Sequence, residues 1–237
     1  MEIGIGTCIV GILTSEQLTF GADSLRSYQN GKQEHICKIV QARKIFFTSS
    51  GLSIHSESKF SIQSLCRTAI KKGKTIDKSI KILEKIARQP LLRVYKSAFA
   101  KDQHYFNSVI KENPVSVAIF GLEEKKLILR AVAFKPIEEN GRIAIHIKRT
   151  DFKGEEGDEA SICLGCPSVI DLAWSPTMPD PQVDPVAYIK YAINWAIAHE
   201  AGIGDGKKLI GGPIDILRVS KQGSQWIQKK AECPSIR

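Results

Sequence analysis

The first candidate for chemistry in the sequence is a threonine that follows a glycine, Gly6–Thr7. A hydroxyl is a poor nucleophile until a base removes its proton. An α-amino group, with a reference pKa of about 7.7–8.0, can be that base near neutral pH, but only a residue at a chain terminus has one. The small residue before Thr7 would let the backbone bend, so that the hydroxyl attacks the Gly6 carbonyl and releases the amine. On its position alone, Thr7 would be an ordinary strand residue.

The six cysteines are a second source of reactive groups. They lack the dense spacing of a secreted disulfide framework, so we expect reduced thiols. Cys163 and Cys166 form a CxxC pair, but no second pair follows at a spacing that suits zinc, and we expect no metal and no other cofactor. The first six residues lack the basic start and the apolar stretch of a secretory signal, which favours a cytoplasmic location.

The composition predicts one compact domain, since 43% of the 237 residues are hydrophobic and 25% are charged. The longest apolar runs, Val115–Leu122 and Leu127–Phe134, are too short to cross a bilayer, so no membrane partner is expected. The net charge of +9 is spread along the chain without a nucleic-acid recognition motif. We interpret it as a basic surface, and nucleic-acid binding is the weakest of the functions considered.

Hydrophobic periodicity locates the secondary structure that must position these groups. It predicts helices between Ser56 and Gly73, from the cap Thr75 to an end or kink at Pro90, and from Asp184–Pro185 to about Ala201. The predicted strands are Thr7–Leu13, Gln17–Asp23, Ile36–Val40, Lys44–Ser50, Val115–Leu122, Leu127–Phe134, Arg142–Lys148, Ser161–Leu164, Ile214–Ser220 and Gln225–Lys229.

The order of these elements predicts an α+β fold. Strands grouped in this way form antiparallel sheets, and helices in two blocks must cover the outer faces of stacked sheets. We therefore expect a four-layer αββα sandwich of two stacked antiparallel sheets.

Four motifs in register resemble the proteasome β subunits, over nearly the whole chain. The segment that starts at Thr7 reaches an Ala-Asp-Ser motif around Asp23 after sixteen positions, and Lys38-Ile39 follows. The match continues through Phe46–Gly51 and through Gly211–Ile216. The resemblance implies a short propeptide-like segment, 1–6, and a single domain, 7–237, that begins at the nucleophile Thr7 after cleavage behind Gly6.

The resemblance also implies roles for three other residues. Lys38 resembles the lysine beside the threonine, where its positive charge favours the deprotonated amine and hydroxyl. Asp23 resembles the acidic partner of that lysine. Gly51 resembles the glycine whose backbone N–H faces the developing oxyanion. For Cys8 to be the nucleophile instead, Asp23 would be out of register by one, and strand alternation would turn the thiol to the other face.

The sequence departs from the family at positions that support catalysis. Where the family has a serine after a glycine, this chain has Gly165-Cys166, with Ser168 as a nearby substitute. The aspartate and serine that usually precede the late glycine pair are missing before Gly211, and Asp205 could replace the aspartate only if the glycine-rich loop is rebuilt. Cys166, Ser168 and Asp205 are therefore possible supporting residues.

The functional hypothesis is a threonine-type peptidase or amidase that cleaves peptide or protein substrates through an acyl-enzyme on Thr7. The alternative is a catalytically silent ring or scaffold subunit, which has no physical need for Thr7, Asp23 and Lys38 together. The resemblance further implies a homo-oligomeric ring, and it leaves open whether a regulatory ATPase acts with it.

Overall fold

The computed structural model describes residues 3–154, 160–165, 177–200, 208–231, 233, 235 and 236. Within these ranges the chain forms three antiparallel sheets of five strands each. The first sheet contains, in spatial order, β13 (Ala160–Leu164), β2 (Ile9–Leu13), β3 (Gln17–Ala22), β14 (Asp215–Ser220) and β15 (Gly223–Gln228). β2 and β3, which correspond to the first two predicted strands, pair as an antiparallel hairpin with Leu13 opposite Leu18.

The second sheet holds the longest strands. Its spatial order is β12 (Arg142–Gly154), β11 (Lys126–Glu139), β10 (Val115–Glu123), β7 (Ile45–Ser50) and β6 (Val40–Ala42). Ser50, the last residue of β7, pairs with Ser116 of β10. This pairing fixes where the chain leaves the sheet towards Gly51.

The third sheet is built from short strands around the beginning of the described chain. Its order is β5 (Gln33–His35), β4 (Leu25–Tyr28), β1 (Ile3–Ile5), β8 (Ile54–His55) and β9 (Phe60–Ser61). The central strand is β1, which pairs with β4 on one side and β8 on the other. Ile3 and Ile5 are buried in the main core. The segment before Thr7 is therefore an internal part of the fold.

Two helices begin at the capping residues that the sequence predicted, whereas the helix expected from Ser56 begins after Ser61. Thr75 caps α2 (Ile76–Lys101), and Asp184 caps a later helix by accepting a hydrogen bond from the Ala187 N–H. Within the part of the chain that the structure describes, the helices are α1 (Ile62–Gly73), α2, α3 (Gln103–Tyr105) with a π-helical turn at Phe106–Ile110, and α4 (Pro185–His199). The sequence predicted that the helix ends or kinks at Pro90. The helix does not end there, because α2 continues beyond Pro90 and buries Leu91, Val94 and Tyr95.

Three apolar clusters hold these elements together. One joins α1 and α2 to the second sheet and to β1. Another lies between the first and second sheets, where the rings of Phe20 and Phe120 stack with centroids 3.8 Å apart. The third joins α4 to the outer face of the first sheet. Within the described residues, no helix is both long and apolar enough to cross a membrane.

The expected four-layer αββα sandwich of two stacked sheets is wrong. The described part of the chain is mostly β, with a third five-stranded sheet that the sequence did not indicate. Its strands are only two to four residues long, too short to show the alternation on which strand prediction depends. The predicted strand Ile36–Val40 is also wrong, since residues 36–39 are irregular and β6 begins at Val40.

We predict that Ile5→Ala lowers the free energy of unfolding by about 2–5 kcal/mol, because it leaves a cavity in the main core beneath β1. Val183→Ala is the matched control, since Val183 is 82% exposed, and its change should stay within about 0.5 kcal/mol. Urea unfolding of the three proteins measures both values. Equal stabilities would mean that β1 is not part of the cooperative fold.

Candidate active site

Gly6 and Thr7 connect β1 in the third sheet to β2 in the first. Gly6 has a φ of +112°, and a Cβ there would lie 2.1 Å from the carbonyl oxygen of Leu209. Only glycine fits this position. Thr7 is 4% exposed, and its hydroxyl donates a hydrogen bond to the Gly6 carbonyl oxygen. The hydroxyl of Thr7 thus lies beside the peptide bond that it is predicted to cut.

The Asp23 carboxylate, at the end of β3, is the centre of the polar network. It is fully buried and accepts four hydrogen bonds. Oδ1 accepts from the Cys8 N–H at 2.7 Å and from the Lys38 ammonium at 2.8 Å. Oδ2 accepts from the N–H groups of Leu25 at 3.1 Å and Gly211 at 2.9 Å. Three backbone donors from two distant parts of the chain therefore converge on one side chain.

Lys38 lies in the irregular segment between β5 and β6, and its side chain is 2% exposed. Besides the bond to Asp23, its Nζ donates to the Leu25 carbonyl at 2.5 Å and to the Gly6 carbonyl at 3.4 Å. Burial lowers the pKa of the Lys38 ammonium, and the Asp23 carboxylate opposes that shift. The structure therefore brings Thr7, Asp23 and Lys38 together around the Gly6 carbonyl.

Gly51 follows the last residue of β7, with a φ of +78°. A Cβ on it would lie 2.4 Å from the Pro114 carbonyl oxygen, so glycine is required. The preceding residue, Ser50, faces Gly165: a Cβ on Gly165 would lie 3.3 Å from the Ser50 Cβ and 1.7 Å from the Thr7 carbonyl oxygen. The end of β7 thus approaches Thr7 across Gly165, one residue before the predicted oxyanion donor.

The three possible supporting residues, Cys166, Ser168 and Asp205, lie outside the described part of the chain. Cys8, the alternative nucleophile, is fully buried, forms no disulfide and packs in the cluster between the first sheet and α4.

Glu200, directly after α4, was not singled out from the sequence. Its two carboxylate oxygens accept hydrogen bonds from the backbone N–H groups of Leu209 at 2.8 Å and Ile210 at 3.0 Å. Burial raises the pKa of the Glu200 carboxyl, and these two bonds oppose the rise. One feature of the sequence could have singled out Glu200: it is an acidic residue at a helix C-terminus, where the helix dipole disfavours negative charge.

A disulfide joins Cys37 to Cys233, across a sequence separation of 196. The expectation of reduced thiols is therefore wrong for this pair, whereas Cys8, Cys66 and Cys163 form no disulfide. Spacing along the sequence did not reveal the pair, because its two cysteines come from opposite ends of the chain.

Among the described residues, one cluster has ligand atoms close enough together to hold a metal ion: Cys37, Asp215 and Cys233. Its two sulfurs are bonded to each other. The Asp215 carboxylate accepts a hydrogen bond from the Lys230 N–H at 2.9 Å and forms an ion pair with its ammonium at 3.0 Å. These ligand atoms are thus engaged within the protein, and we assign them no metal.

Comparisons with known proteins show likeness in structure alone. No family model and no curated protein matches the chain. A mutant of Anbu designated Gly-1, from Hyphomicrobium sp. strain MC1, matches with a TM-score of 0.54 at 11% identity, covering 94% of this chain and 87% of that one. Anbu from Yersinia bercovieri, described as an ancestral β-subunit, matches with a TM-score of 0.52 at 13% identity and the same coverage.

These findings correct the assignment made from the motifs. Membership of the proteasome β-subunit family, with a threonine nucleophile, has no support from any family model. What the chain shares is the fold of Anbu, an ancestral β-subunit, at identities that carry no information about catalysis.

We predict that Asp23→Asn lowers the free energy of unfolding by about 3–5 kcal/mol, because it leaves the Lys38 charge buried without its partner. Lys38→Met should lower it by less, about 1.5–3 kcal/mol, since the Asp23 carboxylate keeps three backbone donors. The control is Lys101→Met, which breaks the exposed pair with Glu57 and should change stability by less than about 1 kcal/mol. Urea unfolding measures the free energy of unfolding of each variant. A larger loss of stability for Lys38→Met than for Asp23→Asn would contradict the prediction.

We predict that Cys233→Ser lowers the free energy of unfolding by about 2–5 kcal/mol under non-reducing conditions. A reductant should destabilise the wild type by a similar amount and leave Cys233→Ser unchanged. Cys163→Ser, which removes a free thiol, serves as the control and should respond to reductant like the wild type. Unchanged wild-type stability in reductant would show that the two thiols are not linked in solution.

Proposed function

We propose that this chain is a threonine-type amide hydrolase in which the Thr7 hydroxyl first cuts the Gly6–Thr7 bond and then attacks peptide substrates. The observation that carries the proposal is the contact of the Thr7 hydroxyl and the Lys38 ammonium with the same carbonyl oxygen, that of Gly6. The fold shared with an ancestral β-subunit is compatible with this function and does not by itself indicate activity.

Self-cleavage in this proposal is an acyl shift followed by hydrolysis. The Thr7 Oγ attacks the Gly6 carbonyl carbon, and the carbonyl oxygen takes up negative charge beside the Lys38 ammonium at 3.4 Å. The carbon–nitrogen bond then breaks, and the Thr7 nitrogen receives the proton that the hydroxyl gave up. Water hydrolyses the resulting ester, which leaves a carboxylate on Gly6 and a free α-amine on Thr7.

The processed residue would then act on other amide bonds. The Thr7 amine takes the hydroxyl proton as the oxygen attacks a substrate carbonyl, and it returns the proton to the departing amine. The acyl-enzyme on Thr7 is hydrolysed by water. In this scheme Lys38 favours the deprotonated nucleophile by its charge, Asp23 holds Lys38, and the Gly51 N–H is the proposed oxyanion donor. Cys166, Ser168 and Asp205 stay candidates for support of the amine.

The proposal divides the chain into a propeptide-like segment, 1–6, and a domain, 7–237. Because β1 is the central strand of the third sheet, the cut would leave residues 3–6 held by hydrogen bonds to β4 and β8. Release of that strand would be a separate step that opens the site. We further propose that the chain assembles with copies of itself in a ring. A cytoplasmic location would require that the Cys37–Cys233 bond survive a reducing compartment, where structural disulfides are rare.

The second candidate function is a catalytically silent subunit of an assembly. The burial of β1 favours it, because an uncut chain already satisfies the third sheet and keeps Thr7 at 4% exposure. A silent subunit would assemble with residues 1–6 attached and would tolerate loss of the Thr7 hydroxyl.

The mass of the purified protein, followed over time, tests the proposal. We predict a chain that starts at Thr7, and an epoxyketone, which needs a hydroxyl and a neighbouring amine, should add only to that chain. Thr7→Ala should abolish both cleavage and labelling. Lys38→Ala should slow cleavage by on the order of 10²–10⁴-fold, and Lys38→Arg should not restore it, because the guanidinium differs in shape and its pKa is fixed high.

Thr177→Ala is the matched control, since it removes a threonine hydroxyl from an exposed position, and it should be cleaved like the wild type. Sedimentation of the same samples reports assembly. An assembled wild type that stays uncut and unlabelled would favour the silent subunit, whereas labelling at a cysteine would show that Thr7 is not the nucleophile.

A further inference from the structure

The segment Lys208–Gly211 packs directly over the proposed cleavage site. The Leu209 carbonyl oxygen lies so close to Gly6 that a Cβ on Gly6 would approach it to 2.1 Å. The Gly6 peptide is therefore enclosed between this carbonyl on one side and the Thr7 hydroxyl and the Lys38 ammonium on the other. The segment therefore leaves no room for a side chain at Gly6, whose φ is +112°.

Two carboxylates hold the segment by three successive backbone amides. Glu200 accepts from the N–H groups of Leu209 and Ile210, at 2.8 and 3.0 Å, and Asp23 accepts from that of Gly211 at 2.9 Å. The same Asp23 accepts from Lys38, so the segment and the ammonium share one anchor. Hydrogen bonds to charged groups are the stronger kind, which makes this a firm attachment.

The carbonyl groups of the segment are also engaged. The Gly211 oxygen accepts from the N–H groups of Ser24 at 3.1 Å and Leu25 at 3.0 Å. The Lys208 oxygen accepts from the Ser27 hydroxyl at 2.6 Å. The Lys208 oxygen also accepts from the Gln33 side-chain amide at 3.2 Å, so these donors come from β4, β5 and the residue before β4, whereas Glu200 binds the segment from the end of α4.

The position of Glu200 is unfavourable for a carboxylate in the absence of these donors. It follows the C-terminus of α4, where the last carbonyl groups carry partial negative charge. It is also partly buried, which disfavours ionisation. Two aligned amide donors compensate for both effects, and they place the carboxylate between the helix end and the segment.

We propose that Glu200 is a positioning residue for the Thr7 reaction, which fixes Leu209 and Ile210 over Gly6 and keeps the Gly6 carbonyl facing the Thr7 hydroxyl. It supplies an acidic anchor to residues 208–210, which include no acidic residue of their own. This inference rests on the proposed self-cleavage, and it assigns Glu200 no contact with the reacting atoms.

The test compares Glu200→Ala and Glu200→Gln with Asp184→Ala. Asp184 also accepts a backbone N–H at an end of α4, but at the other end, so its loss matches the structural part of the change. Each precursor is refolded by dilution from denaturant, and intact mass gives the first-order rate of cleavage between Gly6 and Thr7. We expect Glu200→Ala to be about 10- to 100-fold slower than the wild type. Glu200→Gln keeps one acceptor oxygen, so its cleavage rate should lie between those of Glu200→Ala and the wild type. The rate of Asp184→Ala should be within about twofold of the wild-type rate.

Two further readouts separate positioning from stability. Added formate should speed cleavage in Glu200→Ala by filling the vacated site and should not affect Asp184→Ala. Amide exchange should show lost protection at Leu209 and Ile210 in Glu200→Ala only. Wild-type cleavage rates in Glu200→Ala and Glu200→Gln would overturn the inference while the proposed function stands. An uncut wild type would overturn the proposed function and, with it, the role of Glu200 in the reaction.

Discussion

The Asp23 carboxylate is the interaction on which the rest of the site depends. It is fully buried and holds the Cys8 amide at the start of β2, the Leu25 amide at the start of β4 and the Gly211 amide before β14. Those three elements belong to the first and third sheets. Four donors satisfy the charge, so it is retained without access to water. The Lys38 ammonium is the fourth of these donors, and its bond to Asp23 fixes its position in the site.

Close approach of backbone segments explains why positions 6 and 51 are both glycine. The third sheet brings Gly6 against the Leu209 carbonyl, and the pairing of β7 with β10 brings Gly51 against the Pro114 carbonyl. In both cases a backbone oxygen occupies the space that a Cβ would need. The site is thus formed by closely packed backbone segments. The few side chains in it, such as Asp23 and Lys38, are held by several hydrogen bonds each.

The sequence predicted long, periodic and capped elements correctly and missed the short ones. Thr75 and Asp184 marked helix starts because a side-chain oxygen before an apolar run is a local signal. The third sheet gave no such signal, since β8 and β9 have two residues each and owe their conformation to neighbours distant in sequence. Lys38 was expected in a strand because of its apolar neighbours. In the structure it lies in an irregular segment, and its ammonium donates a hydrogen bond to Asp23.

For the site, the motif resemblance indicated Thr7, Asp23 and Lys38, and the fold brings them together, but their roles stay proposals. Glu200 was missed, because its one signal in the sequence was an acidic residue at a helix end, and its partners Leu209 and Ile210 lie 9 and 10 positions further along the chain. The Cys37–Cys233 link was missed for a similar reason, since nothing local connects positions so far apart.

That link has a mechanical consequence. A pulling force applied to the chain beyond Cys233 would pass through the disulfide to Cys37 and bypass residues 38–232, which form a closed loop. Unravelling from that direction would therefore not extend the strands of the loop one after another. The force would first reach the residue next to Lys38, so the ammonium would be the first part of the site to be displaced. An oxidised chain should resist translocation through a narrow pore, whereas a reduced chain would extend from β15 inward.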